Sequence, residues 1–140
     1  MLLQWTAALS VGDDVIDAQH QELFRRVDRL LDAMARNDRS EAVRLLEFML
    51  DYCDAHFAAE ERLMEQSAFA GLAAHLTEHR RFTAVLRVLD ADYREHGLTA
   101  ELVYRLQREA VDWLRDHVLS TDMELGRWVL TSRAFDSQPA

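Results

Sequence analysis

One cysteine, one proline and four glycines in 140 residues leave this chain little punctuation and few means of cross-linking. Cys53 has no partner for an internal disulfide, and a lone thiol cannot build a cysteine-based zinc or iron–sulfur site. Any metal here must be held by nitrogen and oxygen. Positive charge is also scarce: 16 basic against 25 acidic residues give a net charge of −9, which repels phosphate backbones and anionic lipid. Nucleic acid and membrane surfaces are therefore not expected partners. No apolar run approaches the length of a spanning helix, and the opening MLLQWTAALS lacks the basic region and apolar stretch of a secretion signal. A cytoplasmic protein is expected.

What the chain does have is helical periodicity. Its apolar content of 49% supplies one core, and a single domain over 1–140 is expected, with no repeat or low-complexity run. The only proline is Pro139, and Gly12, Gly71, Gly97 and Gly126 are read as lying outside or at the edges of the long periodic segments. Four helices follow. The first runs from about Asp17 to Arg36 on the stripe Ile16, His20, Leu23, Phe24, Val27, Leu30, Leu31 and Met34, and stops at Asn37-Asp38-Arg39. Ser40 reads as the N-cap of the second, whose stripe is Leu45, Met49, Tyr52, Cys53, His56, Glu60, Leu63 and Met64. The third carries Leu72, His75, His79, Phe82, Leu86, Leu89 and Tyr93 until Gly97. Thr99 can cap the fourth, with Leu102, Val103, Leu106, Ala110, Trp113, Leu114 and His117 on its stripe.

Short connections between helices of similar length predict an all-α, up-down-up-down antiparallel four-helix bundle. An N-terminal arm (1–16) precedes the bundle (about 17–120). A C-terminal segment (about 121–140), containing Trp128, is expected to form a short helix closing one end. No pattern fixes the oligomeric state, and a monomer is the simplest expectation.

Five of the six histidines (His20, His56, His75, His79 and His117) fall on these apolar stripes, at least one on every helix, and Glu60 joins them. A single core-facing histidine is usually a satisfied core residue, and one pair spaced four apart is weak evidence. Convergence changes the balance. Antiparallel packing can bring all four stripes to one depth, and a buried carboxylate among imidazoles needs pairing or a metal. Five imidazoles exceed one tetrahedral zinc site but suit two octahedral ions sharing carboxylates, so a di-iron site fits. The Glu-x-x-His motif of ferritin-like di-iron bundles is absent; the nearest match, Asp17-x-x-His20, is read as a helix-start aspartate. Histidine-rich ligation of this kind points towards reversible binding rather than oxygenase chemistry. His96, at a helix end before Gly97, is read as solvent-facing, and Cys53 as a small buried hydrophobe.

Trp5, VGDDVIDAQH ending at His20, HFAAEERLM with His56 and Glu60, HLTEHRRF with His75 and His79, and WLRDHVLSTD with His117 and Asp122 together resemble the hemerythrins, most closely the stand-alone bacteriohemerythrins. The resemblance covers nearly the whole chain, from Trp5 to Asp122. It implies that His75, His79 and His117 bind one iron, that His20 and His56 bind the other, and that Glu60 and Asp122 bridge both beside an oxo or hydroxo group. It further implies reversible dioxygen binding by two iron ions, with Phe57, Trp113 and Leu114 lining an apolar pocket at the one open position. An oxygen or redox sensor acting through a separate partner, and a di-iron enzyme scavenging peroxide or nitric oxide, are the alternatives. No output domain supports the first and no polar pocket residue the second, so a binding protein rather than an enzyme is expected.

Asp122 owes its place to the resemblance alone. Five residues beyond His117, it points roughly 140° away from that histidine on a regular helix. A helix end or a π-type turn within VLSTD must intervene. The sequence also has Ala70 where family members often have proline after the aromatic of the second connection, which leaves the shape of that loop open.

Overall fold

Asp13 begins the first helix by accepting the backbone N–H groups of Val15 and Ile16, two donors that a helix start leaves unpaired. In a computed structural model, which describes residues 4–136, this helix (α1) spans Asp14–Ala35 and is followed by α2 (Arg39–Gln66) and α3 (Leu72–His96). The fourth rod contains α4 (Ala100–Arg105), a π-helical turn (Leu106–Val111), α5 (Asp112–Asp116), a second π turn (His117–Thr121) and α6 (Asp122–Asp136), with no loop between them. The helix expected for the C-terminal segment is thus present as α6, running straight on from the fourth helix; Pro139 lies outside the described residues. Thr99 caps α4 by accepting from Leu102 N–H.

Asp38, not Ser40, caps α2: its side chain accepts Glu41 N–H at 3.1 Å, and Ser40 falls inside the first turn. The missed signal is the capping-box spacing from Asp38 to Glu41, with Asn37 taking the left-handed conformation that reverses the chain. In the connection between α2 and α3, Ala68 is left-handed and Phe69 turns inward, its N–H bound to Met64 O at 2.9 Å. Trp128 of α6 donates its indole N–H to Ser67 O at 2.8 Å and packs edge-on against Phe69, so the loop around Ala70 is closed by side chains from both sides.

α1 packs on α2, α2 on α3, and α3 on α4 and the first π turn, which gives the antiparallel bundle. Two apolar clusters fill it. The large one includes Leu23, Phe24, Met49, Phe82, Leu86 and Leu114; the small one holds Val11, Ile16, Leu63, Met64, Phe69, Leu125 and Val129. Site residues stand where the two meet: His20 lies between Ile16 and Leu23, Glu60 between Phe57 and Leu63, and Asp122 between Val118 and Leu125, while His56 and His117 adjoin the large cluster. A polar layer therefore separates two hydrocarbon ones.

The arm, with its 3-10 turn at Ala7–Leu9, is latched beside that layer. Asp17, read from sequence as a helix-start residue, does sit in the first turn of α1, but it also accepts Val11 N–H at 2.9 Å and the Ser10 hydroxyl. Gly126, expected at the margin of a periodic segment, is instead inside α6, where Val11 crosses it. A Cβ there would lie 2.9 Å from Val11 Cα. Alanine at Gly126 would gain about 1 kcal/mol of helix propensity but must displace the arm's backbone, an overpacking cost of about 1–3 kcal/mol. Gly126→Ala is accordingly expected to lower stability by about 1 kcal/mol, and its denaturant midpoint to fall below that of the parent.

Candidate metal centre

Each helical rod places its polar side chains at the same depth because each histidine occupies a core position of an amphipathic helix. His20 comes from α1, His56 and Glu60 from α2, His75 and His79 from α3, and His117 and Asp122 from the fourth rod. All seven are buried, none more than 3% exposed. His117 begins the second π turn, and the bond that defines that turn runs from Asp122 N–H to His117 O. A π turn seats residue i+5 where a regular helix seats i+4. The sequence's unfavourable five-residue step is absorbed there, and Asp122 faces the histidines.

The carboxylate oxygens divide the histidines into two sets. Glu60 Oε1 lies 3.1 Å from His20 Nε2 and 2.6 Å from His56 Nε2. Glu60 Oε2 lies 3.1, 2.9 and 4.0 Å from the Nε2 atoms of His75, His79 and His117. Asp122 repeats the division, with Oδ2 3.0 Å from His20 Nε2 and Oδ1 3.1 Å from the Nε2 atoms of both His75 and His117. Two overlapping donor groups result, each within 4.8 Å of itself: Glu60, His75, His79, His117 and Asp122, and His20, His56, Glu60 and Asp122.

That donor set fits metal ions. Both Asp122 oxygens and His117 Nε2 are buried without a hydrogen bond of proper geometry, although charged or imidazole atoms stand close by. Burying such atoms unpaired is costly, and a cation between them would satisfy all three. Two of the outward nitrogens are held as ligand histidines require: His56 Nδ1 lies 2.8 Å from Gln19 Oε1 and His79 Nδ1 3.4 Å from Glu61 Oε1, which favours the tautomer with a free Nε2 lone pair.

Charge within the layer is tightly coupled when no metal is bound. Burial by itself disfavours imidazolium, but hydrogen bonds and charge from Asp122 and Glu60 outweigh it, holding His20 and His75 at about 9 and His117 at about 10. Against their own burial, Glu60 and Asp122 are held below the ordinary carboxylate range, Glu60 chiefly by the charge of His56 and Asp122 chiefly by that of His117. A raised histidine pKa stabilises the fold fully below about 6.5, and that stabilisation disappears as pH climbs through the folded value. Protein stripped with a chelator is therefore expected to lose denaturant resistance between pH 6.5 and 10. Metal-loaded protein should lack that slope, since a coordinated nitrogen carries no titrating proton.

All seven residues expected as ligands are gathered here. Of the expected pocket residues, Phe57 stacks on His79 (centroids 3.8 Å apart, 10° between planes) and Trp113 on His117 (4.5 Å, 11°), so both brace the three-histidine set. Leu114 is buried in the large apolar cluster. His96 stands apart, paired with Asp92 at 2.9 Å near the end of α3. Cys53 is buried among apolar side chains, and burial pushes its thiol up to about 12. The residues that sequence reasoning missed are Gln19, Glu61 and Glu78, which stand behind the histidines; their only signal is adjacency in sequence to His20, Glu60 and His79.

A family model for the hemerythrin HHE cation binding domain matches residues 11–129, the stretch that carries all seven donors. The chain belongs to the hemerythrin family. Among its hemerythrin relatives, the bacteriohemerythrin of Methylococcus capsulatus is 35% identical over 127 residues, covering 89% of this chain and 95% of that protein. The bacteriohemerythrin of Stenotrophomonas maltophilia is 33% identical over 126 residues, covering 86% and 77%. A crystal structure of wild-type hemerythrin superposes with a TM-score of 0.79 at 29% identity, covering 92% of this chain and 98% of that one. As in the arrangement the family resemblance implied, this hemerythrin chain brings three histidines to one side of the carboxylates and two to the other. No helix among the described residues is long and apolar enough to cross a membrane.

Proposed function

We propose that this hemerythrin binds dioxygen reversibly at two non-haem iron ions joined by Glu60, Asp122 and an oxo or hydroxo group. The observation that carries the proposal is the division of both carboxylates, one oxygen to each histidine set. His75, His79 and His117 would hold one ion, and His20 and His56 the other. When bound, the iron pair supplies two electrons that are lent to dioxygen and recovered on its release.

The protein's own part is to position and to exclude. Five donors surround one position and four the other, so the place for an external ligand falls on the side of His20 and His56. Stacking by Phe57 and Trp113 keeps the imidazoles of His79 and His117 from rotating away. Phe57, Trp113 and Leu114 offer no acidic proton, and the buried apolar cluster to which Phe57 and Leu114 belong keeps bulk water from the layer. Binding and release, rather than turnover of a substrate, suit such surroundings.

Protein purified from iron-replete cells should contain two irons per chain by metal analysis. After anaerobic reduction, air should produce a visible absorption band that deoxygenation removes and fresh air restores over several cycles. A single iron, full occupancy by zinc, or oxidation that never reverses would overturn the proposal.

A further inference from the structure

The inward nitrogens of the five histidines all face Glu60, but the outward ones face different groups. Behind His56 stands a neutral amide, with Gln19 Oε1 2.8 Å from Nδ1. Behind His79 stands the Glu61 carboxylate at 3.4 Å. Behind His117 stands that of Glu78, with Oε2 3.7 Å from Nδ1 and Oε1 accepting the Thr121 hydroxyl at 3.3 Å. The Nδ1 atoms of His20, His75 and His117 are buried with no hydrogen-bond partner, so Glu78 stands behind His117 as a nearby charge rather than as an acceptor. Sorted by histidine set, two carboxylates back the three-histidine position and none backs the two-histidine position.

A carboxylate behind a ligand imidazole strengthens the inward nitrogen as a donor and adds negative charge near the cation. Both effects favour the higher oxidation state of whatever iron that nitrogen holds. The side chains of Glu61 and Glu78 are 35% and 40% exposed, so water weakens the effect without abolishing it. An amide orients its histidine but brings no charge.

We propose that Glu61 and Glu78 are positioning residues that set a redox polarity, making the three-histidine position the first to be oxidised and leaving the two-histidine position ferrous in the half-oxidised protein. The inference rests on the iron-pair reading above. Each oxidation step removes one electron from one ferrous ion and passes it to the titrant. The reducing ion of the half-oxidised protein then stays on the side where an external ligand has its place.

The test is a redox titration of iron-loaded protein with ferricyanide and dithionite, in the presence of mediators. Electron paramagnetic resonance follows the odd-electron half-oxidised form, and iron is counted in every sample. Glu61→Gln and Glu78→Gln keep an acceptor oxygen and remove the charge. Each should raise the first midpoint and shrink the constant for forming the half-oxidised protein from its two neighbours by about tenfold, or about 59 mV for a one-electron couple. Gln19→Glu places charge behind the other set and should lower the second midpoint, shrinking the same constant from the opposite direction. If either glutamine variant loses iron, Gln19→Glu decides alone. Two irons in every protein with both midpoints unchanged would overturn the polarity and leave the iron pair standing. Fewer than two irons in the parent would overturn the iron pair itself.

Discussion

Glu60→Ala should bind no iron at either position. The two oxygens of this one side chain approach all five histidines, Oε1 on one side and Oε2 on the other, so its loss removes a donor and a negative charge from both groups at once. Glu60 is also completely buried, and without it Asp122 is the one carboxylate left inside the layer, reaching His20, His75 and His117 but neither His56 nor His79. Breaking a buried charge pair by deleting one partner costs about 3–5 kcal/mol, so the metal-free variant should unfold well before the metal-free parent. Elemental analysis of purified protein and a denaturant titration check the two halves of this expectation. His96→Ala is the control: that imidazole is 59% exposed and touches only carboxylates near the end of α3, so the variant should hold iron as the parent does. Two irons in Glu60→Ala, or equal damage from His96→Ala, would mean that the wrong residues have been assigned.

Adding one alanine between Leu119 and Ser120 should be as damaging to the metal site as losing Glu60, although both neighbours face solvent and no core side chain is altered. The second π turn already contains one residue more than a regular turn, and it brings Asp122 over His117. Another residue would carry Asp122 about 100° around the helix and out of the layer. Leu125 and Gly126 would rotate with it, the first out of the small apolar cluster and the second away from Val11. The insertion variant should therefore keep most of its helix, read by circular dichroism, while losing iron from both positions. Deleting Leu119 should do the opposite. With four residues from His117 to the aspartate, a regular helix aligns the two, and iron content should be kept. An insertion variant that still holds two irons would show that Asp122 is not a shared ligand.

The contrast between these variants shows where sequence reading succeeds and where it stops. Helical stripes that repeat every 3.6 residues place His20, His56, Glu60, His75 and His79 in the core from pattern alone, because α1, α2 and α3 are regular helices. The fourth rod is not regular. Val111 and Val118 are buried although a straight stripe leaves them out, since each of the two π turns advances the buried face by one residue. For the same reason Asp122 could be assigned only through resemblance to a family. Gly126 looked like a boundary because glycine disfavours helix interiors, whereas its use here is the close crossing of a distant segment that no local pattern encodes. Gln19, Glu61 and Glu78 were illegible for a different reason. Acidic and amide residues on a half-exposed helix face are ordinary, and only the partner across the interface gives them a meaning.

The polar layer also bears on how the molecule comes apart. Ile16, Leu63, Leu125 and their neighbours form a hydrocarbon cluster too small to persist alone, and seven polar side chains stand between it and the larger one. Whatever fills that layer determines whether the arm, the connection around Phe69 and α6 open together with the rest of the bundle or ahead of it. In hydrogen exchange, amides of α6 and of the start of α1 should exchange through a local opening once the layer is emptied, while amides beside Leu30 and Leu89 wait for global unfolding. Ligand exchange and proteolytic nicking would then enter from the same end of the molecule, and the lifetime of the closed state would be a property of the layer rather than of the core.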